Sequence, residues 1–138
     1  MLQELRDWIN ADNVVYAECG GFMYLTEGIY DQEGLFHPMV GVFPTKAKMQ
    51  TRRASLGYRE ITTKVDSCFG SAGTILRGHE FHYSTVEEMD SRIQRIFQLN
   101  GGGLEGYKVH RTLGGYMHLH FGFQPQVADA FINNCLET

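Results

Sequence analysis

Residues 14–21 read VVYAECGG, and this stretch decides the fold more than any other part of the 138-residue chain. The four apolar residues 14–17 lack polar alternation, which is typical of a strand covered on both faces, as in the parallel sheets of α/β proteins. Cys19 follows this strand directly, and residues 22–27 then predict a helix that ends at Gly28. The sequence therefore predicts a cysteine on a strand-to-helix turn.

The segments that flank this turn predict further helices and strands. Apolar residues at helical spacing over residues 2–9 predict an N-terminal helix, and a final helix is predicted to begin at Pro125. Between them, glycine-rich turns separate short β-rich segments, which predicts an antiparallel middle section. The predicted strands are residues 39–43, 58–62, 74–77, 107–109 and 114–121; residues 92–99 suit a strand or a short helix, and 100–103 a turn.

Composition and charge exclude several classes of function. The 12 Lys and Arg residues against 16 Asp and Glu residues give a net charge of −4, and the basic residues are scattered apart from Arg52 and Arg53. Neither nucleic acid nor an anionic membrane surface is expected as a partner. No apolar run approaches the roughly 18 residues of a membrane span, and the N-terminus is charged where a signal peptide would be apolar. We expect one cytoplasmic domain with a single hydrophobic core.

Cys19 is the first candidate for chemistry. A cysteine on a strand-to-helix turn, followed by Gly20 and Gly21, has the geometry of a nucleophile elbow. The glycines let backbone approach a substrate, and the amides of the helix N-terminus are expected to lower the thiol pKa from about 8.5 and to stabilise an oxyanion. The alternative is that Cys19 is simply a small buried residue after a strand.

Histidines supply the candidate general bases. His118 is the best placed, and His120 shares its face if the segment stays extended. The alternative is a pair of hydrogen-bonded, partly buried imidazoles. A second polar cluster contains His79, Glu80 and His82, which either line a cleft or form a buried polar network. The histidine spacings lack the H-E-x-x-H pattern, so no metal site is predicted.

The remaining cysteines and aromatic residues are predicted to be structural. Three cysteines without C-x-x-C spacing indicate neither a disulfide framework nor a zinc ribbon. Cys68 is predicted to be an inert surface-loop thiol, and Cys135 to lie on the buried stripe of the final helix. Tyr58 and Tyr83 are predicted to pack, and residues 52–53 form either a solvated turn or a rim that binds carboxylates. The glycine cluster near residue 103 lacks the lysine of a phosphate-binding loop, so no nucleotide site is predicted.

Four segments carry a family resemblance. They are YAECGGFMYL at residues 16–25, LGYRE at 56–60, RGHEFHYS at 77–84 and GYMHLHF at 115–121. In this order they resemble the glutaminase domain of cobyrinic acid a,c-diamide synthases, enzymes of cobalamin biosynthesis. The resemblance implies a class I, triad-type glutamine amidotransferase fold, which is a flavodoxin-like three-layer α/β sandwich. It implies one partial domain over residues 1–138, with an antiparallel β-rich middle section and without the first βα units.

The same resemblance implies roles for individual residues. Cys19 would attack the side-chain amide of L-glutamine and form a thioester, and His118 would take the thiol proton and return it to the leaving ammonia. Gly20 would supply an oxyanion-hole amide, beside Gly21. The usual triad carboxylate lies two residues after the histidine, where this chain has His120, so the third group is not identified. The candidate lining of the site is Glu18, His79, Glu80, His82 and His120.

The resemblance also implies partners. The full synthases carry ATP and Mg²⁺ on a separate synthetase domain, through which the corrinoid substrate would be bound; no cofactor is expected in this chain. An upstream segment would supply a second oxyanion donor and pair with the elbow strand, so weak independent activity, and self-association or docking through that edge, are expected. The alternatives are an inactive binding module, or the equivalent domain of a hydrogenobyrinic acid or nickel-sirohydrochlorin diamide synthase.

Overall fold

A computed structural model describes residues 1–137 and shows a mixed α/β fold that is rich in strands. The helices are α1 (Leu2–Asn10), α2 (Gly20–Leu25) and α3 (Pro125–Leu136), with a 3₁₀ helix at Phe121–Phe123. The strands are β1 (Val15–Glu18), β2 (Thr26–Tyr30), β3 (Phe36–Pro38), β4 (Phe43–Met49), β5 (Ser55–Thr63), β6 (Ile75–His82), β7 (Ser84–Val86), β8 (Gln94–Leu99), β9 (Leu104–Val109), β10 (Thr112–Gly115) and β11 (His118–Leu119).

The larger of two sheets is rolled back on itself. It has seven strands in the order β1-β10-β9-β8-β5-β6-β11, so β1 and β11 are its edges. Strand β10 lies next to one edge, yet only Tyr116 and Met117 separate it in sequence from β11 at the other edge. The sheet must therefore curl, which brings the end of β1 close to β11. A four-stranded sheet, β3-β2-β4-β7, lies beside it.

Parallel pairing is limited to one strand pair in each sheet. Strands β1 and β10 pair in parallel, as do β2 and β4, and the other described pairs are antiparallel. The antiparallel middle section that the sequence predicts is thus confirmed. Strand β1 is also covered on both faces as predicted, because Tyr16 packs on one hydrophobic cluster and Ala17 on another.

The core is divided into these two clusters, where the sequence predicted one. The first contains Phe69, Phe97 and Leu113, and the second contains Ile9, Phe22 and Phe43, among other buried residues. Successive side chains of a strand point to opposite faces, so the elbow strand contributes to both clusters. Each face of the strand that leads to Cys19 is therefore fixed by packing.

Several predicted elements match the structure. Helices α1 and α3 form where apolar spacing and Pro125 predicted them, and residues 58–62 lie within β5. Residues 92–99, which suited two alternatives, contribute the strand β8, and residues 100–103 form the turn that follows it.

The helix after the elbow is shorter than predicted. It ends at Leu25, and Gly28 lies inside β2 rather than at a helix terminus. The hydroxyl of Thr26 donates a hydrogen bond to the carbonyl oxygen of Met23 (2.7 Å), and the chain becomes extended at this residue. A strand at residues 39–43 was also wrong, because the amides of Val40 and Val42 instead bind carbonyl oxygens of the last turn of α2. These carbonyl groups have no partner within the helix.

The segment 114–121 is not one continuous strand. Strand β10 ends at Gly115, and the next amide, that of Tyr116, donates to the side chain of Glu105. Only His118 and Leu119 then pair, with β6. A buried side-chain acceptor, which periodicity does not reveal, thus replaces a neighbouring strand at this point.

Three burial predictions were wrong. Cys68 is buried, because the adjacent Phe69 packs edge-on against Tyr16 with ring centroids 4.7 Å apart and carries the loop into the core. Cys135 is exposed, since α3 buries its first turns, around Val127, and its last turn faces solvent. The side chain of Tyr58 is 93% exposed on the outer face of β5.

Candidate active site

The backbone at Cys19 has the strained geometry of an elbow. Its φ of 49° and ψ of −106° are unusual for a residue with a side chain. The amide of Cys19 donates to the carbonyl oxygen of Gly115 (2.8 Å), and its own carbonyl oxygen accepts from Met23 (3.0 Å). These hydrogen bonds join the elbow to β10 on one side and to α2 on the other, so the conformation is held by its neighbours.

The thiol of Cys19 is half-buried and carries its proton at rest. Burial raises the pKa of the thiol; the Gly20 amide lowers it, and the Glu18 carboxylate raises it further. The expected net lowering by the helix N-terminus is therefore wrong, because desolvation outweighs the one amide of the six-residue helix α2. The Sγ atom lies 3.8 Å from the carbonyl oxygen of Phe81, to which it donates. A base is needed to generate the thiolate.

His118 is held in a form that can act as this base. Its Nδ1 atom lies 3.3 Å from the carbonyl oxygen of His79, and the two rings stack with centroids 4.8 Å apart. A carbonyl oxygen only accepts hydrogen bonds, so the proton of the neutral ring resides on Nδ1. The lone pair is then on Nε2, which is the arrangement a general base requires.

Cys19 and His118 both contact strand β6. The thiol contacts Phe81, and His118 pairs with His79, two residues earlier on this strand. Two residues of a strand span roughly 7 Å. Within residues 1–137 the structure shows no hydrogen bond between the thiol and the imidazole, and the resting thiol is directed to Phe81.

His120 lies beside His118 on the surface. Both rings line an open cavity of about 440 Å³, together with Tyr58 and Phe123. The two histidines share this cavity although the strand ends at Leu119. His120 is exposed, and its amide donates to the carbonyl oxygen of Arg77 (2.8 Å).

The polar cluster on β6 divides between the two faces of the sheet. His79 stacks on His118 on the outer face, whereas the alternation of the strand places Glu80 and His82 on the inner face. The ring of His82 stacks on that of Tyr116, with centroids 3.8 Å apart. Its Nδ1 lies 2.7 Å from the carbonyl oxygen of Ser84.

Glu80 belongs to a polar network on that inner face. Its Oε2 accepts from Arg59 Nε (2.9 Å) and from the hydroxyl of Ser55 (3.0 Å). A partly buried carboxylate with two donors is stable where an unpaired one would be costly. The Arg59 guanidinium also occupies the space above Gly57, where a Cβ atom would lie 2.6 Å from it.

Gly20 and Gly21 lie at the exposed start of α2. A Cβ atom built on Gly20 would meet no atom within 4 Å, so the space in front of the elbow is open. The first amides of a helix have no partner within the helix. The backbone of Gly20 is therefore accessible to an oxygen atom that approaches Cys19.

Two residues of this region were missed by sequence reasoning. Glu105 is 7% exposed; one carboxylate oxygen accepts from the Tyr116 amide, while Oε2 has no partner. Burial raises the pKa of Glu105 to about 7, against the lowering effect of the Tyr116 amide. Gly78 is the second, since a Cβ there would lie 2.0 Å from the carbonyl oxygen of His118. A charged residue amid the apolar positions of a strand was the signal that could have revealed Glu105.

Two features are absent from the described part of the chain. No three His, Cys, Asp or Glu side chains among residues 1–137 lie close enough together to hold a metal ion. No described helix is both long enough and apolar enough to cross a membrane.

Comparison with known families decides the relationship of this chain. A family model described as a CobB/CobQ-like glutamine amidotransferase domain matches residues 1–125. The chain belongs to this amidotransferase family. Its segments YAECGG and YMHLHF, which carry Cys19 and His118, lie within the matched residues. The resemblance drawn from the sequence motifs is therefore confirmed.

Two curated relatives carry the same enzyme name. The chain is 42% identical to cobyrinate a,c-diamide synthase of Syntrophotalea carbinolica, over 98% of this chain and 31% of the relative. It is 37% identical to the enzyme of the same name from Leptospira interrogans, over 99% of this chain and 31% of the relative. The chain thus spans about a third of the length of these relatives.

Solved structures confirm the fold class. A crystal structure described as a glutamine amidotransferase superposes with a TM-score of 0.65 at 13% identity, covering 97% of this chain and 67% of the other. A glutamine amidotransferase from Thermotoga maritima gives a TM-score of 0.54, also at 13% identity, over 99% and 54%. At this identity the likeness shows the fold alone, which is the class I amidotransferase fold that the sequence motifs implied.

Proposed function

We propose that this chain is the glutamine-hydrolysing part of an ATP-dependent cobyrinate a,c-diamide synthase. The observation that carries the proposal is the elbow at Cys19. The Cys19 thiol contacts Phe81 of β6, and His118 pairs with His79, two residues earlier on the same strand. The names of the curated relatives support the choice of synthase. The corrinoid substrate, ATP and Mg²⁺ would be bound by the part of such a synthase that these residues do not include.

The first half of the reaction forms a thioester. Cys19 Sγ attacks the side-chain amide carbon of L-glutamine while His118 Nε2 accepts the thiol proton, so an S–C bond forms and the carbonyl π electrons move to oxygen. The amide of Gly20 donates to this oxyanion. The C–N bond then breaks, and the leaving nitrogen takes the proton from His118 and departs as ammonia.

The second half restores the enzyme. His118 Nε2 accepts a proton from water as the water oxygen attacks the thioester carbon. The C–S bond breaks, glutamate leaves, and the proton held by His118 returns to Cys19 Sγ. The ammonia released in the first half would serve as the nucleophile for corrinoid carboxylates activated elsewhere in the synthase.

The test is covalent labelling with a diazo-ketone analogue of glutamine, followed by intact and peptide mass spectrometry. We expect one equivalent of label, confined to Cys19, because Cys68 is buried with a pKa raised to about 12, mainly by desolvation, and Cys135 lies on the last turn of α3 rather than at the elbow. The variants Cys19→Ala and Cys135→Ser are the controls. The first should remove the label, and the second should leave it unchanged.

A chain that takes no label, or that is labelled equally on Cys135, would overturn the proposed glutaminase. A non-catalytic binding module would then be the better description. Free glutamate release from glutamine, measured on the same preparations, provides the second readout.

The edge of β1 leads to a separate prediction. The amides of Val15 and Cys19 point to β10, so those of Tyr16 and Glu18 point away from it, at the edge of the sheet. The same alternation, carried one residue before the strand, predicts an outward amide at Val14. An open strand edge is a template for pairing. We expect concentration-dependent self-association of this chain in sedimentation velocity at micromolar concentration.

The variant Val14→Pro should weaken this association, because proline removes an outward amide. The matched control Val14→Ala loses a similar amount of packing and keeps the amide. A strictly monomeric wild-type chain, or equal behaviour of the two variants, would show that the edge does not pair.

A further inference from the structure

The imidazole of His118 has no side-chain carboxylate as a partner in the described part of the chain. Its Nδ1 binds the main-chain carbonyl group of His79, and the residue two positions further on is His120. The ring direction is then determined by the backbone of the short segment 116–119. What holds this backbone also holds the base.

One side of this segment is held by Glu18. Its Oε1 accepts the amide of Leu119 at 2.8 Å, and this amide lies on the side of β11 that no strand covers. The hydroxyl of Tyr16 donates to the same oxygen at 2.8 Å. The carboxylate therefore has two donors, and the end of β1 is tied to the residue directly after His118.

The Tyr16 hydroxyl is itself fixed by packing. Its ring makes edge-on contacts with Phe69, Phe121 and Phe131, at centroid distances of 4.7, 6.3 and 6.4 Å. Such aromatic pairs favour one ring orientation. Glu18 is thereby held by a side chain that cannot easily turn away.

The other side of the segment is held by Glu105. This buried carboxylate accepts a hydrogen bond from the amide of Tyr116. Tyr116 lies between β10, which pairs with β9, and β11, which pairs with β6. An unpaired amide here would be costly. His118 thus lies between two residues whose amides both donate to carboxylates, Tyr116 before it and Leu119 after it.

We propose that Glu18 and Glu105 are positioning residues of the glutaminase reaction, which hold the backbone on both sides of His118 and so direct its ring to Cys19. The inference rests on the proposed function. Both carboxylates act through hydrogen bonds to the main chain and do not touch the reacting atoms. They orient the imidazole through the main chain, whereas a triad carboxylate would bind the imidazole directly.

The first test measures glutamine hydrolysis by Glu18→Ala and Glu18→Gln. The alanine variant should lose roughly 10- to 100-fold in kcat with little change in KM, because a displacement of about 1 Å at a catalytic group can cost about 100-fold. The glutamine variant keeps an acceptor oxygen and should recover most of the rate. Glu27→Gln, an exposed carboxylate on β2, is the matched control and should behave as wild type.

The second test places Glu18→Ala in the His118→Ala background. A residue that acts only through His118 should cost less than about twofold there, since residues that work as a unit are not additive. A general loss of stability would instead lower the rate equally in both backgrounds. Equal losses would overturn the inference.

The third test does not depend on activity. Amide hydrogen exchange by NMR should show Leu119 protected in wild type and faster in Glu18→Ala, with Tyr116 faster in Glu105→Ala and protected in Glu105→Gln. The ring signals of His118 should shift in the alanine variants. If the wild-type chain hydrolyses no glutamine, the proposed function fails, and unchanged exchange and ring signals would separately overturn the positioning roles.

Discussion

Gly78→Ala should reduce glutamine hydrolysis by about 100-fold or more. A Cβ atom at residue 78 would lie 2.0 Å from the carbonyl oxygen of His118 and 3.1 Å from the Cα of Leu119. Both are backbone positions of β11, so no rotation of a side chain relieves the overlap. Strand β11 must move away from β6, and His118 must move with it.

The assay for this variant pairs kinetics with a check of the fold. Ile75→Ala, on the same strand but 45% exposed, is the control and should retain the wild-type rate. The circular dichroism spectrum of Gly78→Ala should stay close to wild type, while the amide of His120, which binds the Arg77 carbonyl oxygen, should exchange faster. Wild-type kinetics in Gly78→Ala would show that β11 need not pair with β6 for activity.

His118→Ala should lose between about 10² and 10⁴ in kcat at pH 7, which is the usual effect of removing a general base. The loss should depend on pH. Burial raises the pKa of the Cys19 thiol, so without a base the rate follows the small thiolate fraction. That fraction grows about tenfold per pH unit below the thiol pKa, so the variant should recover part of its rate as pH rises beyond about 8.5.

The matched control for this substitution is His37→Ala. His37 is an exposed histidine on β3 whose ring lies 2.6 Å from the carboxylate of Asp31. Its loss should leave the pH profile unchanged. A His118→Ala variant with a flat profile between pH 6 and 9 would mean that another group takes the thiol proton.

Local sequence patterns were sufficient for the elbow and insufficient for its surroundings. The apolar run before Cys19 and the two glycines after it specify a strand, a turn and a helix within eight residues, and the structure has all three. The end of α2 was missed because Thr26 leaves the helix to pair with Phe43 of β4. Such pairing depends on residues distant in sequence.

The candidate site, too, was only partly predictable from local sequence. Motif order identified Cys19 and His118 as candidates, since each lies in a recognisable segment. The links between their strands involve Glu105 and Leu119, which lie far along the chain from β1, and no periodicity connects them. The Cys19 pKa was predicted in the wrong direction because burial of a side chain depends on the whole fold, whereas a helix N-terminus can be read locally.

The rolled sheet also determines when Cys19 and His118 come together during folding. The hydrogen bond from the Leu119 amide to Glu18 joins residues 101 positions apart; Cys19 directly follows one edge strand, and His118 lies on the other. Contacts of such long range form slowly, because a long loop must close first. During synthesis Cys19 emerges nearly a hundred residues before His118, and the two residues stay apart until the sheet curls shut. The two candidate catalytic residues therefore come together only as a late consequence of folding.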